Sequence, residues 1–428
     1  MWILFFSMRK TFLIFTLLFT FFGVGQTAWT WSVLDTMPIR ISNNAVTNGK
    51  ASGMDYVYSF GGIDSTKLYS GINKNSFRYN VSTDVWQQIG DVPFNLSNIA
   101  SGASTVKNKV YIIGGYHVYS GGNEVSSNEV IVYDPETNLY ETNGASIPVP
   151  IDDHVQAVWR DSLIYIVTGW RNTGNVPDVQ IYNPELDTWL VGNETPNTHD
   201  YKAFGASGTI IGDTIYYFGG AKSSGGFNST KILRKGIINA NEPTSVNWSL
   251  EEDGPNNGHR SACISYENNI FWIGGSSVSY NYDGIAYNGT GGVSPLTQIM
   301  RYEAYYHDWY AGDGAPFSVM DLRGVAQISD TEWIICGGMN ENQEVTNRTF
   351  LLTYDPVTGG MKDFVENNFY VFNRVIYSSE NYQFANLYDL NGSLVENVVG
   401  SIIKHEMSGV YLLQIGSGEK NHVIKVVL

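Results

Sequence analysis

The sequence predicts an all-β protein: a closed ring of six four-stranded sheets followed by a small β-sandwich. Three observations carry that expectation. Short apolar and aromatic runs ending in a glycine pair, or its near-equivalent, recur six times; most are followed by a tyrosine and a tryptophan flanking a turn; and no long apolar face of helical period interrupts them. The composition agrees: 45 Gly and 28 Tyr, with 43% hydrophobic and 15% charged residues among 428, suit a large core and many tight turns.

Residues 1–28 stand apart. Arg9 and Lys10 precede an apolar run at 11–22, and small residues follow at 23–26, which is the layout of a secretory signal peptide. The run is short for a bilayer span, and no other stretch could cross a membrane. Removing residues 1–28 takes two positive charges and no acidic residue, so the net charge moves from −16 to −18. That balance disfavours nucleic acid and anionic membranes as partners. Cys263 and Cys336 lie in apolar strand contexts and read as buried thiols, not as a disulfide framework.

The six runs are VYSFGG, VYIIGG, IYIVTG, IYYFGG, IFWIGG and WIICGG, ending at Gly62, Gly115, Gly169, Gly220, Gly275 and Gly338. Their spacing is the period of propeller blades. In three copies a tyrosine is followed seven places on by a tryptophan: Tyr79 and Trp86, Tyr182 and Trp189, Tyr302 and Trp309. Tyr133 with Tyr140 is a softened version, and the fourth copy keeps Trp248 but has Leu-Arg-Lys where the tyrosine belongs. A proline seven residues after the tryptophan ends the outer strand. The sixth copy never reaches such a pair, whereas WSVLDTMP (31–38) carries the spacing with no glycine pair before it. The N-terminal strand, with Trp31, is therefore expected to complete blade six and close the ring.

These residues resemble the kelch repeat, over roughly residues 29–364. The resemblance implies a six-bladed kelch β-propeller at 29–365, with Thr168, Tyr140 and the third strand of blade four as departures. The last segment, 366–428, resembles the Por-type C-terminal sorting domain of the type IX secretion system of Bacteroidetes. It does so through Tyr388-Asp389-Leu390-Asn391-Gly392, Ser408-Gly409-Val410-Tyr411 and an apolar ending after Lys425. Phe372-Asn373-Arg374 stands where the usual Pro-Asn-Pro would open it. With the signal peptide, this resemblance implies export through the type IX machinery to the outer cell surface or the medium.

In such a ring the blade-to-blade connections and the loops after each glycine pair share one face. Counting back fourteen residues from the first glycine, or its replacement, in blades two to six gives Ala100, His154, Gly205, Arg260 and Arg323. Asp153, His199, Asp200, Tyr201 and His259 are nearby, as is Arg40 of blade one; Trp170 and Arg171 follow a glycine, and a long loop spans 276–297. Together these form a candidate ligand-binding channel mouth for a carboxylated or hydroxylated ligand held by guanidinium forks and aromatic faces. The alternative is that Arg260 and Arg323 satisfy carbonyls and acids within the ring.

No hydrolase elbow, zinc-protease motif, phosphate-binding loop or clustered metal ligands occur in the sequence, so neither metal nor cofactor is expected. Size and blade count are similar to those of the N-acetylneuraminate epimerases. That likeness of architecture keeps open a cofactor-free sugar mutarotase or epimerase using Asp153 with His154, or Asp200 with His199. The leading expectation is a binding module for a glycan or protein ligand.

Overall fold

The computed structural model describes residues 28–310 and 314–355, and beyond them 369–372, 375–378, 384–389, 392–398, 402–404, 410–417 and 420–427. All but the last residue of the expected signal peptide lies outside these. The described chain is all-β, with one 3-10 turn at Tyr69–Gly71. Residues 28–355 form a six-bladed propeller.

Blade one runs Ala45–Ala51, Met54–Ile63, Ile72–Asn80 and Val85–Ile89, and each later blade repeats this antiparallel order from axis to rim. Blade six takes its first three strands from Ala326–Ser329, Glu332–Cys336 and Thr349–Tyr354. Its fourth is Trp29–Val33, paired with Trp29 opposite Tyr354 and Val33 opposite Phe350. Closure by the N-terminal strand therefore holds, but its register differs from expectation. The rim tryptophan of blade six is Trp29, two residues before Trp31, because Trp29 faces Tyr354 as Trp86 faces Tyr79. Trp31 sits opposite Leu352 and packs edge-on against Phe350.

The glycine pair is explained by contact with the next blade. The second glycine donates its N–H across the interface: Gly115 to Ile151 O at 3.0 Å, Gly220 to Gly258 O at 2.7 Å, Gly275 to Val319 O at 3.0 Å, Gly338 to Ile41 O at 2.9 Å. The first comes so near that a Cβ on Gly274, at φ +66°, would lie 2.3 Å from Val319 O. Blade three has Thr168 there, and a different bond replaces the missing one: the Ala203 N–H donates to Thr168 Oγ1 at 3.0 Å.

The tyrosine–tryptophan spacing also has a physical cause. The two residues are cross-strand partners with ring centroids 5.2 Å apart for Tyr79–Trp86, 4.9 Å for Tyr182–Trp189 and 5.2 Å for Tyr302–Trp309. The tyrosine hydroxyl caps the turn between them, donating to Asp84, Asn138 or Asp187, each in the left-handed region. The indole N–H then ties the blade to the connection preceding it: Trp86 to Asp35 O, Trp189 to Ala145 O, Trp248 to Asn193 O and Trp309 to Glu252 O, at 2.7–3.1 Å. Tyr140 makes its link through Ser76 Oγ instead. In blade four the tyrosine position is Gly236, across which the Trp248 ring lies. The neighbouring Arg234 is fully buried and donates to the Asp200 and Gly219 carbonyls.

In the tail, Phe369–Phe372, Val375–Ser378 and Ile402–Lys404 form one sheet, and Leu394–Val398, Phe384–Tyr388, Val410–Ser417 and Lys420–Val427 another. Phe384–Tyr388 and Leu394–Val398 pair as a hairpin, with Asp389 and Gly392 closing its turn.

Truncating Trp189 to alanine removes a ring contact and an inter-blade hydrogen bond from a half-buried site. The expected loss is about 3 kcal/mol, the low end for large aromatic truncations. A denaturation midpoint identical to that of the unsubstituted protein would contradict the role given to this pair.

Candidate functional site: an axial collar, an aromatic patch and a polar well

Each blade sends one residue to the axis in the left-handed conformation. They are Asn43, Ala100, Asp153, Gly205, Arg260 and Asp321, with φ of 55°, 56°, 48°, 65°, 51° and 64°. The residue before each bridges to the residue after that blade's glycine pair, as Ile99 does to Tyr116 and His259 to Ser276. A continuous chain of hydrogen bonds links the six. Asn43 N donates to Asp321 O, Ala100 N to Asn43 Oδ1, Asp153 N to Ala100 O, Gly205 N to Asp153 O, Arg260 N to Gly205 O, and Leu322 N to Arg260 O, at 2.8–3.3 Å. A left-handed residue with a side chain costs roughly 1–2 kcal/mol; the collar holds five of them because each turn aims an N–H at the neighbouring blade.

Side chains reinforce the collar. The Arg260 guanidinium grips Asp153 with two bonds, Nε–Oδ1 at 3.1 Å and Nη2–Oδ2 at 2.6 Å, and reaches Asp321 through Nη1 at 3.0 Å. Arg323 adds Nη1–Asp153 Oδ1 at 3.3 Å and donates through Nη2 to His154 O. Ser42 Oγ donates to Asp321 Oδ2 at 2.5 Å. Blades one, three, five and six are thus joined through one buried, charge-balanced cluster, a geometry in which paired ions are stable and an unpaired one is not. Burial alone would raise Asp153, but the two guanidiniums outweigh it and hold the carboxyl at about 2. Burial raises Asp321, and burial with the Asp153 charge raises Asp152 well above the ordinary carboxylate range. Burial, helped by Arg323, lowers His154 to about 4; burial, helped by Arg260, lowers His259 to about 3.

The long loop of blade five covers the collar. Tyr280 lies 5.4 Å from the Arg260 guanidinium, Lys67 Nζ of blade one donates to Asp283 O, and Gln343 of blade six donates to Val293 O. Tyr287 packs on Phe227 at 5.1 Å and Phe204 at 5.8 Å, and Trp170 meets the same two rings at 5.5 and 5.4 Å. Phe204 is buried, whereas Trp170, Phe227 and Tyr287 are half-buried and form an aromatic patch over blades three to five.

The residues expected at the channel mouth therefore divide. Asp153, His154, His259, Arg260 and Arg323 converge, but as buried parts of the collar: Arg260 and Arg323 bond Asp153, and Arg323 also bonds the His154 carbonyl, as the alternative reading had it, while His259 is buried beside them. Trp170 is in the aromatic patch. Arg171, His199 and Asp200 are exposed, Asp200 pairs with Lys222 at 2.8 Å, and half-buried Tyr201 accepts from the Tyr217 hydroxyl through its carbonyl. Arg40 is exposed, three residues short of the collar position Asn43. The axis is closed on this face. A cavity of about 770 Å³ remains, walled by the innermost strands; it reaches the exposed first-hairpin residues Lys50, Asn108 and Asp161 on the opposite face and has His154 and Arg323 at its closed end. Cys263 lines it, whereas Cys336 is buried; both thiols are free, and burial raises both. Among the described residues no cluster of three or more His, Cys, Asp or Glu side chains is placed to hold a metal, and no helix is long and apolar enough to cross a membrane.

The glycine pairs, the capped tyrosine–tryptophan hairpins and the collar define a β-propeller of six blades, within which a kelch-repeat domain is matched. Residues 102–290 match the family model described as the KLHDC2/KLHL20/DRC7 Kelch-repeats domain. The chain is similar to Kelch-like protein 25 of Xenopus tropicalis, 26% identical over 172 residues covering 38% of this chain and 27% of that protein. It is also similar to the Rab9 effector protein with kelch motifs of Rattus norvegicus, 25% identical over 179 residues covering 41% and 46%. The chain spans less than half the length of these curated relatives. A solved structure titled "Structure of YjhT" superposes with a TM-score of 0.61 at 16% identity, covering 76% of this chain and 98% of that one, and shows the shared fold.

Sequence counting missed Asn43, Asp321 and Phe227, and reached Tyr280 and Tyr287 only as members of the long loop 276–297. Fourteen residues back from the glycine reaches the collar only where the first hairpin keeps one length. A three-residue turn in blade three moves the collar from His154 to Asp153, and an irregular pairing at Gln327–Ser329 moves it from Arg323 to Asp321. The tyrosines of the long loop carry no periodic signal.

The folded state keeps His259 neutral, while the unfolded chain protonates it below about 6.5. The unfolded state then binds more protons, so this residue lowers stability as pH falls from about 6.5 towards about 3. Asp152 and Asp321, with raised values, act in the opposite sense over part of that range. A His259→Phe variant isolates the histidine: its stability, followed by urea denaturation, is expected to fall less steeply with acidification, by up to ~1.4 kcal/mol per pH unit. Parallel slopes for the two proteins would refute the neutral, buried imidazole.

Proposed function

We propose that this protein is a binding module, exported to the cell surface or the medium, that holds a glycan or protein ligand on the aromatic patch of the loop face. The observation that carries the reading is the half-buried group Trp170, Phe227 and Tyr287, bordered by Arg171, His199 and the Asp200–Lys222 pair. Flat rings with polar edges stack on sugar faces and also dominate protein interfaces when arginine lies beside them. Kelch propellers generally bind proteins, which fits the same surface.

Catalysis has less to rest on. A mutarotase needs an acid and a base facing one substrate. Asp153 is fixed between two arginines and His154 is held neutral at the closed end of the well, while His199 and Asp200 stand on the open surface. On a glycan array the native protein is expected to bind, and Trp170→Ala with Phe227→Ala to weaken binding at least about tenfold, ~1.4 kcal/mol, in a protein that is still folded at the assay temperature by circular dichroism. Binding that survives both substitutions would exclude the patch. Faster equilibration of freshly dissolved sialic acid anomers, followed by NMR, would instead favour the isomerase.

The export reading rests on the sequence resemblances at 1–28 and 366–428. A reporter carrying the signal peptide and residues 366–428 is expected outside the outer membrane of a bacterium with a type IX system. Retention in the periplasm would count against the tail as a sorting domain.

A further inference from the structure

The aromatic patch adjoins a carboxylate that nothing balances. After its glycine pair blade two forms a short hairpin, Tyr116–Val118 against Glu124–Ser126, with Tyr116 opposite Ser126 and Val118 opposite Glu124. Cross-strand partners share a face and neighbours along a strand alternate, so these four side chains occupy one face. That face is turned towards the collar: Ser126 Oγ donates to Asp152 Oδ2 at 2.6 Å, and Tyr116 and Val118 are buried with Tyr282 of the long loop packed against their cluster. Glu124, nearest the hairpin turn, stays exposed and can be reached from solvent.

Tyr116, Tyr282 and Tyr287 lie close enough to feel the Glu124 charge, as does Asp152. Tyr287 is half-buried and packs on Phe227, so it belongs both to the patch and to the surroundings of the carboxylate. Among the described residues Glu124 has no ion-pair or hydrogen-bond partner for its carboxyl. Burial raises that carboxyl, and Arg260, which acts in the opposite sense, does not cancel the effect. The Arg260 charge is already matched by Asp153 and Asp321 inside the collar.

The other cations of this face are engaged or turned away. Lys222 pairs with Asp200 at 2.8 Å, and Lys67 Nζ donates to the Asp283 and Gln343 carbonyls at 2.9 and 3.0 Å. Arg171 follows Trp170 in a two-residue strand; with Trp170 turned onto Phe204 and Phe227, Arg171 projects to the opposite side. Asp283, beside Tyr282, adds a second negative charge.

A half-enclosed carboxylate beside aromatic faces is the complement of a cation, which gains an ion pair and the attraction of the ring quadrupoles together. An anionic ligand would be repelled there, and a neutral one would use the rings while leaving the charge unmatched. The sequence as a whole has 41 acidic against 25 basic residues, a net charge of −16, and such a field steers basic partners towards the surface.

We infer that the loop-face patch takes a protein ligand through a lysine or arginine side chain, whose cationic head pairs with Glu124 and whose stem lies against Tyr287 and the rings beside it. This rests on the patch reading above and narrows its ligand to a basic protein segment. Glu124 then sets specificity, while the rings supply contact area.

The test titrates the full-length protein with end-blocked tri-arginine, tri-lysine and tri-glutamate peptides and with the glucosamine tetramer. Calorimetry is run in about 0.15 M salt, which screens non-specific attraction, and every variant is first shown to be folded by circular dichroism. At least one basic peptide is expected to bind, and tri-glutamate is not. Glu124→Gln, which keeps the shape and removes the charge, is expected to weaken that binding about tenfold or more. Asp330→Asn, the same charge change at an exposed site in the first hairpin of blade six, on the opposite face, is expected to alter it by less than about twofold. Equal effects of the two substitutions, or no binding of either basic peptide, would overturn the inference. Tighter binding of the glucosamine tetramer than of both peptides, lost in Glu124→Gln, would overturn it in favour of an aminated glycan. Each of these results leaves the patch reading standing as long as glycan-array binding responds to Trp170→Ala with Phe227→Ala. Binding of every ligand indifferent to that double substitution would sink the patch and this inference together.

Discussion

The whole ring depends on six backbone turns that point their N–H groups sideways at the axis. Sheets of a propeller diverge outwards, so the place where neighbouring blades come closest is the inner end of the connection between them. An extended residue there would direct its polar groups along its own sheet. The left-handed turn at Asn43, Ala100, Asp153, Gly205, Arg260 and Asp321 redirects them to the next blade. Once the collar is set, the glycine pair is forced by the close approach of the adjoining backbone, and the tyrosine–tryptophan hairpin fills the gap that widens towards the rim.

Departures from the repeat are compensated where they occur. Thr168 accepts through its hydroxyl the bond that a backbone would otherwise make, Tyr140 reaches Ser76, and Gly236 makes room for a tryptophan whose tyrosine is missing. The charged collar residues are a different kind of departure. Asp153, Arg260 and Asp321 sit where Ala100 and Gly205 suffice; the Arg260–Asp321 pair joins adjacent blades, and the Arg260–Asp153 pair joins blades three and five, which are not neighbours in the ring. Replacing one member would strand its partner in a dry interior, so the cluster persists or fails as a unit.

Blade number, ring closure and the aromatic pairs were legible in the sequence because each rests on a local rule: an apolar run, a turn, a fixed spacing. Trp29 was misplaced by two residues because Trp31 mimics the spacing and the true pairing is set by a partner more than 300 residues away. The site was legible only in part. Counting found Ala100, Gly205 and Arg260, then slipped where hairpin length changed. The patch was half visible, through Trp170, while Phe227 and Tyr287 come from irregular loops whose meeting is a tertiary fact. The well left no trace, since it is made of threonines and serines that read as ordinary strand residues. It also opens on the side away from the loops on which attention naturally falls.

The pairing of Trp29–Val33 with Thr349–Tyr354 joins the earliest described strand to the last one of the ring. During synthesis, then, the Trp29–Val33 segment has no native partner until the five blades that follow it and most of the sixth have been made. The wheel cannot be finished piecemeal from one end. A nascent chain keeps an open seam with two unpaired edges, and whatever keeps those edges apart from other molecules in the interval governs the yield of closed rings.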